Sequence, residues 1–329
     1  MTHTDDTGAL MTTDRAEPHT SRPAAGRARQ PAVPPGVEYH RILAGTRRRI
    51  GRGVLAIALL LGGLVIFPTG LGYLGAAVDA QWGNSTPIVG GTDYTWLYHA
   101  TSMASLALLV PWSMLIQRRL YGVRGATLSS IASCFRPAMV GRTLLLVGPV
   151  WVVAVGITYL GPGGQEAPWS YTDLLGVVLV TLLLTPLQVA GEEYGLRGLL
   201  LRVTGGWTRG GRAGLVLGVA VSSVIFTMLH GSANPYVLAW YFTLSVSLAL
   251  VTWRTGGLEV AVVLHAVLNV MTFLMATALR VDVAGAFADR STAGTPLQLV
   301  PAAVAAAVAA VVWWRTQRAG PAVTPGSSQ

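Results

Sequence analysis

The sequence predicts an all-α, polytopic membrane helix bundle of about eight transmembrane helices with both termini in the cytoplasm. Three observations carry this. Charged residues make up 11% of the 329 and hydrophobic residues 52%, with a mean hydropathy of +0.53, whereas a soluble domain usually carries about 25% charge. The apolar residues also form long unbroken runs, without the short alternating segments of a membrane β-barrel. Finally, Arg residues cluster at every second gap between those runs.

A hydrocarbon core about 30 Å thick calls for about 20 apolar residues in a helix. Such runs occupy roughly 54–77, 96–116, 143–160, 173–201, 214–230, 236–253, 258–279 and 298–314. The fourth is long enough to tilt, or to break near Pro186. Residues 1–40 are rich in Thr, Pro, Ala, Gly and Arg, the composition of a disordered tail, and lack the early apolar stretch of a cleaved signal peptide. Residues 319–329 read the same way. Between the tails, 41–171 holds the first three spans, 172–279 the spans with the most intramembrane polar residues, and 280–318 the last span.

Basic residues near span ends prefer the cytoplasmic side. Arg41, Arg47, Arg48, Arg49 and Arg52 precede the first span, and Arg118, Arg119, Arg124, Arg136 and Arg142 follow the second. Arg202, Arg209 and Arg212 follow the fourth, Arg254 the sixth, and Arg315 and Arg318 the eighth. The intervening gaps are acidic, neutral or mixed, so the alternation gives an even number of crossings. The +9 net charge is spread along the chain rather than gathered in a patch with interleaved aromatics, which argues against a nucleic-acid partner. A single cysteine, Cys134, excludes a disulfide framework and a Cys-based metal centre.

An ionisable side chain inside a span costs several kcal/mol, which makes each one a functional candidate. Asp79, His99, Asp173 and Glu259 lie at span ends and read as interface residues solvated by water and headgroups. Inside the spans remain Glu192, Glu193 and Arg197 in the fourth, His230 at the end of the fifth, and His265 and Asn269 in the seventh. Glu193 and Arg197 are spaced i, i+4 with the acid N-terminal, which suits an ion pair. Glu192 points about 100° away and needs another partner or a job. His265 and Asn269 share a helix face, as do Phe226 and His230. Measured from the Arg-rich ends, Glu192 lies about 14 Å deep, His265 about 10 Å and His230 about 24 Å. The first two are level and the third is too deep. Glycines in the first span, and Gly210, Gly214, Gly218 and Ser222 at the fifth, allow close helix contacts within one chain or between two.

A carboxylate in such a site could take a proton from water attacking a carbonyl, while imidazole and amide groups stabilise the oxyanion. His230, His265 and a Glu also match the donor types of catalytic zinc, although no His-Glu-x-x-His helix is present. Residue types alone leave metal-free glutamate catalysis and metal-assisted hydrolysis open.

Glu192-Glu193-x-x-x-Arg197, Phe226-x-x-x-His230 and His265-x-x-x-Asn269, in this order on separate membrane helices, resemble the three signature motifs of the CPBP family. That family comprises the CAAX prenyl endopeptidases and the bacteriocin-processing or immunity-associated Abi membrane proteins. The resemblance covers roughly residues 172–279 and implies an intramembrane endopeptidase. It implies that Glu192 activates water, that His230, His265 and Asn269 bind the water or a metal and stabilise the oxyanion, and that Glu193, Arg197 and Phe226 support the site. The all-Arg, Ala- and Gly-rich composition points to a GC-rich bacterial genome. The expected setting is therefore the bacterial cytoplasmic membrane, with a membrane-associated peptide or protein as substrate. Two other classes compete: a non-catalytic immunity or scaffold protein, and a proton-coupled transporter, for which the expected inverted repeats are not evident.

Overall fold

The computed structural model describes residues 33–45, 49–161, 164–288 and 294–326. Twelve α-helices follow one another among them: α1 (Ile50–Asp79), α2 (Trp96–Ala107), α3 (Leu109–Tyr121), α4 (Pro137–Leu146), α5 (Gly148–Ile157), α6 (Tyr171–Glu193), α7 (Leu201–Gly205), α8 (Gly211–Leu229), α9 (Pro235–Thr255), α10 (Glu259–Ala278), α11 (Val283–Ala288) and α12 (Leu299–Thr316). A π-helical stretch, Tyr194–Leu200, joins α6 to α7. Strands are absent among the described residues, where only isolated bridges occur. The chain is an all-α polytopic membrane bundle.

Seven helical stretches are long and apolar enough to cross a membrane, and α4 with α5 makes an eighth crossing if the bent pair is one span. That pair is bent by 56°, and its cause is local. Pro149 sits in the first turn of α5, where its ring lacks an N–H and clashes with the preceding turn. Pro186, by contrast, does not break the fourth span. α6 runs through it, and the backbone widens only after Glu193.

Local chemistry sets the helix ends. Thr95, Ser170 and Asn234 cap α2, α6 and α9 with side-chain oxygens. α3 and α9 stop at Gly122 and Gly256, both in the left-handed region (φ 71° and 68°).

The loops sort into two sets, each tied together by hydrogen bonds. In one, Ile131 N donates to Gly256 O (2.8 Å), Leu258 N to Ser129 O (2.9 Å) and Thr324 N to Val37 O (2.9 Å), and Arg41 donates to the carbonyls of Gly205 (2.7 Å) and Thr208 (2.9 Å). In the other, Trp96 N donates to Asp173 (3.0 Å), Ala167 N to Arg280 O (2.9 Å) and Asn234 to Gly294 O (3.2 Å). Successive gaps alternate between the sets, as the Arg pattern requires, and the described ends of the chain share the Arg-rich one.

The tails need a correction. Residues 1–32 and 327–329 lie outside the described residues, but within 33–40 and 319–326 several residues are buried or hydrogen-bonded to the bundle and to each other. Tyr39 and His40 are buried, Thr324 bonds Val37 and Pro34, and Glu38 accepts from Trp253 Nε1 at 2.8 Å. Burial pushes the His40 imidazole below its ordinary value, against the raising effect of the Gly211 carbonyl and Glu38. Aromatic and β-branched residues hidden in a Pro-rich stretch anchor these ends, which an average over composition conceals.

Candidate active site

Glu192 and Glu193 end α6, and the π-helical stretch that follows carries Arg197. π-helical turns widen the backbone and recur at functional sites. Gly191 brings α6 against the junction of α2 and α3. A β-carbon there would lie 1.9 Å from the Leu106 carbonyl oxygen, so only glycine permits the contact.

Glu193 and Arg197 form the expected ion pair (3.0 Å), and both side chains are fully buried. The same Glu193 oxygen, Oε1, accepts from His265 Nδ1 at 2.8 Å. The Arg197 guanidinium also covers the Phe226 ring at 4.1 Å. Glu192 stands apart from this knot. Its Oε1 accepts from Gln188 Nε2 at 2.7 Å, its Oε2 lies 3.6 Å from His265 Nε2, and its side chain remains 17% exposed. Asn269 donates to Gln188 Oε1 at 3.2 Å.

His230 joins through α8. Gly214 packs on the Gly205 carbonyl and Gly218 on that of Leu201, so the small-residue ladder serves a contact within the chain. That register carries Phe226 to Arg197 and His230 one turn further. The His230 ring lies 4.5 Å from Phe226, which is 5.6 Å from His265, and it stacks on Tyr241 at 3.7 Å. Ring contacts through Phe226 therefore bring His230 toward His265 despite the depth counted from the sequence. His230 Nδ1 donates to the Phe226 carbonyl at 2.7 Å. Since a carbonyl can only accept, this hydrogen bond sets the tautomer and makes Nε2 the basic nitrogen of the neutral ring.

The site residues converge as a layered group. Glu192, His265, Gln188 and Asn269 form one hydrogen-bonding layer, Glu193 and Arg197 lie behind it, and Phe226, His230 and Tyr241 form an aromatic side. α6 packs on α2 and α10, and α8 on α7, α9 and the π-helical stretch. Leu183 and Leu187 of α6 and Val224 and Met228 of α8 turn outward into the apolar surroundings.

Residues 172–271 match the family model described as type II CAAX prenyl endopeptidase, Rce1-like. This stretch is thus similar to the CAAX proteases. The matched residues run from α6 into α10 and contain every residue of the layered group. No curated protein and no solved structure matches the chain. With its long apolar helices the chain is a multi-pass membrane protein, and the matched stretch is similar to a family of membrane proteases.

Zinc fits this site poorly. Among the described residues no three His, Cys, Asp or Glu side chains are grouped to hold an ion. Glu192 lies 3.6 Å from His265, whose other nitrogen already serves Glu193. The set His230, His265 and Glu192 is thus not drawn together as a ligand cluster in this arrangement.

Three span-end residues differ from expectation. Asp79, His99 and Glu259 are buried rather than solvated. Asp79 accepts from Thr95 (2.8 Å), His99 bonds Tyr94 (2.7 Å) and Thr181 (3.0 Å), and Glu259 pairs with Arg136 at 2.7 Å. Apart from Tyr94, these partners come from other elements of the chain, which local hydropathy cannot register. Gln188 and Tyr241 of the site went unread for different reasons. An uncharged amide four residues before Glu192 was visible, whereas nothing near Tyr241 signals its stacking on His230.

Proposed function

We propose that the protein is an intramembrane endopeptidase in which Glu192 is the general base. The position of Glu192 carries this reading. It is the one carboxylate of the pair that Arg197 does not bond, it keeps some exposure, and its Oε2 faces an imidazole nitrogen. Because His265 Nδ1 donates to Glu193, neutral His265 offers a lone pair at Nε2 toward Glu192 Oε2. A water molecule can donate one hydrogen to each of these acceptors, leaving its oxygen directed at a substrate carbonyl.

In the reaction, the water oxygen bonds the carbonyl carbon as Glu192 Oε2 takes its proton. In this reading the Asn269 amide, and His230 once protonated at Nε2, stabilise the oxyanion. Collapse of the tetrahedral species breaks the C–N bond, and the proton passes from Glu192 to the leaving nitrogen. Glu193, Arg197 and Phe226 hold His265 in its tautomer and position. The substrate is a membrane-associated protein or peptide, reaching Glu192 along the apolar flank between α6 and the end of α8. The setting is the bacterial cytoplasmic membrane, with the Arg-rich face and both termini inside.

The test is cleavage of quenched, membrane-anchored peptides, C-terminally prenylated ones among them, by protein in proteoliposomes. Glu192→Gln should melt like wild type and lose at least about 100-fold in kcat, and His265→Ala should fall comparably. Metal analysis alongside His230→Ala and His265→Ala should show no stoichiometric ion that both variants lose. Full cleavage by Glu192→Gln would overturn the reading, while a folded wild type that binds but never cleaves would favour an immunity or scaffold role.

A further inference from the structure

We propose that Gln188 is a positioning residue that fixes the Glu192 carboxylate, and that Asn269 reaches Glu192 through it. The inference rests on the general-base reading of Glu192. Gln188 is one turn before Glu192 on the same face of α6 and is 3% exposed. Its amide is held at both ends: Nε2 donates to Glu192 Oε1 at 2.7 Å, and Oε1 accepts from Asn269 Nδ2 at 3.2 Å. A carboxylate oxygen accepts only, so the nitrogen of Gln188 must face Glu192. Its oxygen must then face α10, where the Asn269 amide nitrogen meets it.

This relay makes the two Glu192 oxygens unequal. Oε1 is tethered to Gln188, and Oε2 is left facing His265 Nε2 at 3.6 Å. Rotation about the last side-chain torsion would turn the carboxylate plane away from His265, because terminal carboxylate torsions are broad. The Gln188 amide supplies the directional hold that prevents it. An amide suits the task better than a cation, because a full opposite charge would stabilise the carboxylate and weaken it as a base. Arg197 is kept off Glu192 by its bond to Glu193. The relay also joins α6 to α10, so the carboxylate is referenced to the helix that bears His265.

Gln188→Met tests this by keeping length and removing both hydrogen bonds. It should melt like wild type. On a quenched, C-terminally prenylated peptide its kcat should fall about 10- to 100-fold, the size of one hydrogen bond to a charged group, with KM within about twofold. A second measurement needs no substrate. In infrared difference spectra, the Glu192 carboxyl band, assigned through its loss in Glu192→Gln, should move to higher wavenumber in Gln188→Met. Asn269→Leu should move the same band in the same direction by a smaller amount and should add nothing in the Gln188→Met background. An unmoved band, or unchanged kcat in a folded Gln188→Met protein, would overturn the proposal. If Glu192→Gln kept full activity while the band still moved, the general-base reading would fail and the positional coupling would stand.

Discussion

Adjacent glutamates in one span take opposite roles because only one of them has a counter-charge. Glu193 is fully buried, and Arg197 and His265 bond a single oxygen of it, while its Oε2 and the Nε and Nη2 of Arg197 are buried without a hydrogen-bond partner. Such a pair is costly to break, because the survivor is an uncompensated charge in a low-dielectric setting. Arg197→Met should therefore destabilise the detergent-solubilised protein by about 3–5 kcal/mol, measured by denaturant unfolding. The double variant Glu193→Gln/Arg197→Met should be more stable than Arg197→Met alone, since it leaves no charge behind. Glu192→Gln should do the reverse, ending cleavage without a stability loss of that size. The sequence already separated these roles: i, i+4 spacing pairs Glu193 with Arg197 and turns Glu192 away. It could not show that His265 would lie between both carboxylates, because that depends on how α10 packs against α6.

At the scale of the element, the site depends on how closely α6 can be approached. The Leu106 carbonyl occupies the space where any β-carbon at position 191 would go, and backbone cannot yield as a side-chain tip can. Gly191→Ala should thus separate α6 from the α2–α3 junction, cost about 1–3 kcal/mol, and displace the neighbouring Glu192, so that both melting temperature and kcat fall. Gly62→Ala in α1 is the matched control. A β-carbon there meets nothing within 4 Å, and its melting temperature should hold or rise, as alanine favours helix over glycine. The spans were legible because lipid demands long apolar runs with internally satisfied backbones. The internal geometry of the spans was less so. A π-helical turn follows from packing rather than composition, which is why the irregularity lies after Glu193 and not at Pro186. In α4–α5, where Pro149 follows Gly148, the bend has a local cause.

For the whole molecule, two loop sets on opposite ends of the bundle turn an arrangement of Arg residues into a topology. Buried arginines do more than mark a side. Arg202 donates to the Thr127 carbonyl at 2.6 Å and stacks on Tyr39 at 3.8 Å, while Arg254 donates to Thr316 at 2.7 Å. The Arg-rich loops and both described chain ends are thereby fastened together. This face includes the single cysteine, Cys134, which is exposed and two residues before the Arg136 that pairs with Glu259. A membrane-impermeant maleimide should leave Cys134 unlabelled in intact spheroplasts and label it in inverted vesicles, with Cys134→Ser as the blank. That outcome also places the chemistry. His265 is six residues into α10 from Glu259, a rise of about 9 Å, so an Arg-rich face in the cytoplasm puts Glu192 in the cytoplasmic half of the bilayer. Labelling from outside would invert the molecule, and the substrate would then have to present its scissile bond from the opposite leaflet.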